Sequence, residues 1–182
     1  MELPKRKSIR LKNYDYSQNG AYFITICTHN KECILGEIDN GIMNLSALGQ
    51  IVVNNIKILS NIYDDIEIDK YVVMPNHIHI IISVCRECIV CIPPDKDKTK
   101  MLISKIVQIF KSSVTKEFRL LEKTYTCNQH VCNRYAYNAY PTMVWQKSFH
   151  DHIIRNEQEY QKIWEYIDTN PLKWELDCYH IK

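Results

Sequence analysis

The sequence predicts an α+β fold: a ferredoxin-like antiparallel sheet with helices on one face, followed by a C-terminal helix that bears Tyr166. Three observations predict it. Segments rich in β-branched and aromatic residues alternate with segments of helical period, in the order β, short hairpin, α, β, β, α, β, α. The 182 residues make one domain, spanning 1–182. The composition, 46% hydrophobic and 24% charged, is that of a chain able to bury a core.

Residues 21–28 (AYFITICT) follow Asn19-Gly20 and read as a strand after a turn. Within 32–45, Asp39-Asn40-Gly41 is a turn signal that predicts a short hairpin. Ser46 is placed to cap a helix to about residue 59, with Leu48, Ile51, Val52, Ile56 and Leu59 on its apolar face. Residues 66–74 and 77–84 read as two strands joined at Pro75-Asn76, and 85–99 as a loop insertion. A second helix runs from Thr99 or Lys100 to about Phe118, with Ile103, Ile106, Val107, Phe110 and Val114 on one face. Residues 120–141 are polar and without period, which predicts a second inserted loop. Residues 144–154 read as a strand with its exit. Asn156 caps a last helix to about Thr169, which Pro171 helps to end.

Charge and glycine content narrow the chemistry. A net charge of +2 excludes a strongly cationic nucleic-acid coat. By position, residues 5–12 carry five cations and no acid, 32–70 carry seven acids against Lys57 and Lys70, and 95–123 carry eight cations against four acids. The four glycines permit neither G-x-G-x-x-G nor G-x-x-x-x-G-K-[ST], so both common nucleotide-phosphate loops are absent and no nucleotide cofactor is expected. No stretch reaches the roughly 18 apolar residues of a membrane span, and the N-terminus lacks a signal-peptide pattern. The expected location is cytoplasmic, at the nucleoid when on DNA.

Two motifs could carry a reaction. In Met74-Pro75-Asn76-His77-Ile78-His79, strand alternation puts His77 and His79 on one face and Ile78 and Ile80 on the other. Two imidazoles in register can hold a divalent cation with positions left for a substrate oxygen. The same spacing also suits two hydrogen-bonded strand histidines without metal. Tyr166 and Asn170 lie four apart, on one helix face, while Tyr160 lies about 240° around from Tyr166 at ~100° per residue. A tyrosine can attack phosphorus covalently; equally, the pair suits a packed Tyr and a helix-ending Asn-Pro. Taken together, a metal on His77, His79 and Asn170 beside the Tyr166 phenol would suit phosphodiester transesterification.

Seven blocks in order resemble the REP-associated tyrosine transposases, in the wider insertion-sequence-200-like group of HUH single-strand transposases. They are residues 6–11 (RKSIRL), 22–28 (YFITICT), 73–79 (VMPNHIH), 110–112 (FKS), 145–149 (WQKSF), 151–156 (DHIIRN) and 166–171 (YIDTNP). The resemblance implies the HUH fold, metal binding by His77 and His79, Asn170 as a third ligand and Tyr166 as nucleophile. It implies cleavage of single-stranded DNA beside a folded, REP-like hairpin, leaving a 5′-phosphotyrosine and a free 3′-OH, with Mg²⁺ or Mn²⁺ as cofactor. It leaves monomer or homodimer open. His150 stands where relatives often carry tyrosine.

For DNA contact, the basic N-terminal arm (about 1–19) supplies Lys5, Arg6, Lys7, Arg10 and Lys12 for phosphates, and Tyr14 and Tyr16 for stacking on unpaired bases. Lys105 and Lys111 on the second helix and Arg155 before the last are further phosphate candidates. Of the eight cysteines, Cys85, Cys88, Cys91, Cys127 and Cys132, with His130, could build a structural Zn²⁺ site. Cys27 is expected in the core. Two rival functions stay open: a catalytically silent hairpin-binding protein of the same fold, and a zinc-stabilised nucleic-acid adaptor.

Overall fold

The computed structural model describes residues 19–85, 102–128 and 143–180, without the side chains of 122–128. The N-terminal arm, most of the 85–99 insertion and the stretch 129–142 lie outside the described residues. With them go Lys5, Arg6, Lys7, Arg10, Lys12, Tyr14, Tyr16, Cys88, Cys91, His130 and Cys132, and the Cys127 side chain.

Strands β1 (Gly20–Cys27), β4 (Ile66–Met74), β5 (His77–Val84) and β6 (His150–Ile154) form one antiparallel sheet in the order β4-β5-β1-β6. The hairpin β2 (Gly36–Asp39) and β3 (Ile42–Leu45) forms a separate two-stranded ribbon. Asn40 (φ 49°) and Gly41 (φ 77°) make its turn in the left-handed region, where Asn and Gly carry the least strain. Among the described residues, three α-helices complete the order: α1 (Ala47–Ile62), α2 (Leu102–Asn128) and α3 (Glu157–Thr169). Among the described residues, no helix is long and apolar enough to cross a membrane.

Alternation along the strands creates two buried layers. Tyr22, Ile24 and Ile26 of β1 and Ile78, Ile80 and Ile82 of β5 face α1 and α2 and join Ile51, Ile56, Ile106 and Phe110 in the main core. The other face carries Phe23, Ile81 and Ile154, against Ile163, Trp164 and Ile167 of α3. Thus α1 and α2 cover one face, and the tyrosine-bearing helix covers the opposite one.

Local chemistry sets the helix ends. Ser46 Oγ accepts from the Gly49 N–H (3.1 Å) at the start of α1. Asn156 Oδ1 accepts from the Glu159 N–H (2.9 Å), and Glu159 reaches back to the Arg155 N–H (2.8 Å) at the start of α3. Asn55, buried in α1, donates to Glu117 of α2 (2.8 Å) and ties the two helices together. Gly49 passes so near the hairpin that an added Cβ would lie 2.1 Å from the Leu35 carbonyl oxygen. Gly49→Ala is therefore expected to destabilise the fold by about 1–3 kcal/mol, despite alanine's helix advantage of roughly 1 kcal/mol. A urea midpoint equal to or above the parent's would contradict this.

Two sequence-based boundaries need correction. The helix expected to end near Phe118 runs to Asn128, so the first part of the expected 120–141 loop is helical. Residues 119–128 (RLLEKTYTCN) contain no Gly or Pro and hold several good helix formers, which allow the helix to continue without a clear apolar period. The strand expected over 144–154 begins only at His150, preceded by a single bridge between Thr28 and Trp145. The carbonyls between are diverted: Lys111 Nζ donates to Gln146 O (2.9 Å) and Ser148 O (2.8 Å).

Candidate active site

His77 opens β5 directly after the Pro75-Asn76 turn, and the pleat turns it and His79 away from the main core toward α3. Both side chains are buried, with Nε2 atoms 3.0 Å apart. Each ring is held from behind. Asn76 Nδ2 donates to the carbonyls of Lys31 (3.1 Å) and Tyr179 (2.8 Å), so its Oδ1 faces His77 Nδ1 at 2.8 Å and accepts the proton there. That leaves the Nε2 lone pair of His77 pointing into the site. Thr25 Oγ1, opposite His79 in the β1–β5 register, lies 2.8 Å from His79 Nδ1.

Helix α3 and the segment after it close the site. Tyr166 Oη lies 3.2 Å from His79 Nε2 and donates to Asp177 Oδ2 (3.1 Å). Asn170, at the end of α3, is buried; its Nδ2 donates to Asp177 Oδ2 (2.8 Å). Its Oδ1 is buried with no donor among the described residues. A 3-10 segment, Pro171–Leu176, then carries the chain back over the histidines. The Tyr179 ring packs on His77 (centroids 4.6 Å apart), Trp174 lies beyond it (6.0 Å), and Phe23 stacks on His79 from the sheet (5.0 Å).

His77, His79 and Asp177 bring their ligand atoms within 4.8 Å of one another, a cluster able to hold a metal ion. The unfilled Asn170 oxygen and the His77 lone pair add to the fit. Two imidazole nitrogens with carboxylate and amide oxygens suit a borderline divalent cation.

The electrostatics are those of a buried site awaiting positive charge. Burial lowers the His77 pKa to about 4, with Asp177 opposing and Lys31 assisting. Burial, then the neighbouring His77, holds His79 well below the ordinary histidine range. Burial, then the Asp177 carboxylate, pushes the Tyr166 phenol up. Burial alone would raise Asp177, but the Tyr179 N–H, the Asn170 amide, His77 and the Tyr166 hydroxyl outweigh it and hold the carboxyl below its usual range.

These neutral histidines predict an acid-sensitive fold. As pH falls below about 6.5, the unfolded chain takes up protons that the native state refuses, so stability is full above that pH and declines toward pH 4. His77 alone accounts for a loss on the order of 3 kcal/mol by pH 4. Denaturant melts at pH 7.5 and 5 should show the decline, and His77→Gln should flatten it. Equal midpoints at the two pH values in the parent chain would refute the buried-neutral assignment.

Of the expected site residues, the fold brings together His77, His79, Tyr166 and Asn170. Tyr160 points elsewhere, donating to Asp69 (2.9 Å) and packing beside Trp164. Lys111 spends its ammonium on backbone carbonyls, and burial lowers its pKa to about 8. Arg155 and Lys105 are exposed on their elements, and Cys85 is exposed at the end of β5. Cys27 is buried as expected. His150 lies opposite Thr25 in the β1–β6 register, so the pleat sets it on the same face as His79.

Sequence reasoning missed Asp177, Tyr179, Thr25 and the holding role of Asn76. Asn76 had a readable signal, since it adjoins His77 at the turn. Asp177 had none: it follows a proline outside any period, with Glu175 equally available.

A Haemophilus influenzae protein of uncharacterized function is 36% identical to this chain over 186 aligned positions, covering 97% of this chain and 93% of its own. The chain belongs to the family of that protein. No protein-family model matches it. A solved structure of a REP-associated tyrosine transposase bound to a REP hairpin is similar over 91% of this chain and 73% of that one, with a TM-score of 0.54 and 20% identity. At that identity the likeness is one of fold: this chain, with its four-stranded antiparallel sheet, shares the α+β architecture of that structure.

Proposed function

We propose that the chain is a metal-dependent tyrosine transposase that cuts and rejoins single-stranded DNA beside hairpins. The reading is carried by one convergence: Tyr166 Oη, His79 Nε2 and the unpaired Asn170 oxygen meet around the His77–His79–Asp177 cluster. The shared fold with a hairpin-bound tyrosine transposase supports it.

His77, His79 and Asn170, with Asp177 beside them, would hold Mg²⁺ or Mn²⁺. Such an ion supplies Lewis-acid polarisation of the phosphate and stabilises developing charge. Asn76 fixes the tautomer and orientation of the His77 imidazole, and Thr25 holds the orientation of the His79 ring. Tyr166 Oη attacks phosphorus, its proton leaving along the hydrogen bond to Asp177 Oδ2. The Oη–P bond forms as the P–O3′ bond breaks, and the departing O3′ takes a proton from solvent water, giving a 5′-phosphotyrosine and a free 3′-OH. The bond energy stays in the ester, so the reverse attack rejoins strands without ATP. Burial, then the facing Asp177 carboxylate, favours the protonated phenol, an effect that the positive charge of a bound cation would oppose. Lys5, Arg6, Lys7, Arg10 and Lys12 of the basic arm, and Arg155, would grip phosphates.

The test is incubation with a single-stranded oligonucleotide carrying a REP-like hairpin and Mn²⁺ or Mg²⁺. A covalent protein–DNA adduct on a denaturing gel is expected. Binding without an adduct in either metal would favour the catalytically silent alternative.

A further inference from the structure

On the sheet face opposite the histidines, a cavity of about 660 Å³ opens between α2 and the segment that leads into β6. Its α2 wall is one helical stripe, Ser112, Thr115, Lys116 and Arg119, with Lys111 behind it. Among the described residues, the lining holds three cations and two hydroxyl side chains but no acid. Lys111 is already committed to two carbonyls, so its charge acts as a fixed background. Lys116 and Arg119 are exposed at the mouth.

The rest of the lining differs in character. Leu120, beside Arg119 at the end of the α2 stripe, is 55% exposed, and Met143, across from it in the segment before β6, is 50% exposed; both line the cavity. Trp145, at its base, is 93% buried by the same measure (7% exposed), and its indole N–H finds no acceptor among the described residues. Buried donors are nearly always paired, so an orphaned one beside a cavity points to a missing acceptor. A ligand that fits this lining carries both anionic groups and flat or apolar ones. Single-stranded nucleic acid has that character, with a phosphate at every step and unpaired bases between.

The location is also apt. The segment that carries Trp145 is stitched to the end of β1: His29 N–H bonds to Val144 O (2.9 Å), and Gln146 N–H to Cys27 O (3.0 Å). Cys27 in turn faces His77 across the β1–β5 ladder. The cavity therefore sits at the same end of the sheet as the candidate active site, around its edge.

We propose that this cavity is a secondary strand-binding site, which seats phosphodiesters and an unpaired base of the single strand away from the reacting phosphate. It rests on the single-strand DNA reading above. Lys116 and Arg119 provide the phosphate contacts, Leu120 and Met143 the apolar contact.

The experiment is fluorescence anisotropy of a labelled single-stranded oligonucleotide of about 30 nucleotides against full-length protein over a range of salt. Lys116→Gln combined with Arg119→Gln is expected to weaken binding about tenfold or more. It should also make the slope of log K against log salt shallower by about 1.4, the amount expected for two lost single-strand phosphate contacts. Lys57→Gln, a surface change on α1, should move affinity less than twofold. Exchanging the cations instead (Lys116→Arg with Arg119→Lys) should restore most of the affinity, which rules out a folding artefact. Affinity within twofold of the parent's, an equal drop in the Lys57 control, or a loss seen only with anionic phospholipid vesicles would each overturn the proposal. Adduct formation separates it from the enzymatic reading. With saturating oligonucleotide the double variant should still form adduct. A parent chain that binds but forms none refutes the enzyme while the cavity is still judged by its binding.

Discussion

Tyr166→Phe is expected to abolish the covalent protein–DNA adduct, at least 10³-fold below the parent, while leaving the fold and oligonucleotide binding nearly unchanged. The change removes one atom. The phenyl ring keeps its packing against Phe23 (6.1 Å) and His79 (5.2 Å), and the lost hydroxyl is part-exposed, so the stability change should stay within about 1 kcal/mol. What disappears is the oxygen that attacks phosphorus. The informative companion is Tyr179→Phe. Its ring also lies against His77, and burial raises its phenol to about 12, so it is the other tyrosine at the site. Adduct that persists in Tyr166→Phe but vanishes in Tyr179→Phe would transfer the nucleophile to the C-terminal segment. Adduct lost only in Tyr166→Phe places it on α3.

His79→Gln should weaken Mn²⁺ binding by about 100-fold or more and remove the adduct at ordinary metal concentration. His79 offers Nε2 at the centre of the site, 3.0 Å from His77 Nε2 and 3.2 Å from Tyr166 Oη. Glutamine keeps much of the buried volume, so the loss would report a missing ligand rather than a cavity. Asn76→Ala should have a smaller effect, about 10-fold to 100-fold, because it frees the His77 ring without removing a donor. Isothermal titration with Mn²⁺ measures both, and chelation of the parent should abolish the adduct until Mn²⁺ is restored. Mn²⁺ affinity unchanged by His79→Gln would mean that the imidazoles are only a hydrogen-bonded pair.

Much of the fold was legible because its signals are local. The Asp39-Asn40-Gly41 turn, the Ser46 and Asn156 caps and the apolar stripe of α1 appear where their chemistry predicts. The two misjudged boundaries have physical causes that composition hides. α2 continues past Phe118 through residues that include several good helix formers and no Gly or Pro. β6 starts late because Lys111, 35 residues before Gln146, takes carbonyls that a strand would have used.

The candidate site divides along the same line. The sequence by itself determined that His77 and His79 share one face of a strand, and that Tyr166 and Asn170 share one face of a helix. A two-residue pleat and a 3.6-residue turn are properties of the backbone, readable over a few positions. Only the tertiary structure decided that those two faces meet, that Tyr166 rather than Tyr160 turns to the histidines, and that Asp177 completes the cluster. Those outcomes depend on contacts between residues far apart in the chain, such as Asn76 with Tyr179 across 103 positions, and no local period encodes how two packed surfaces will align.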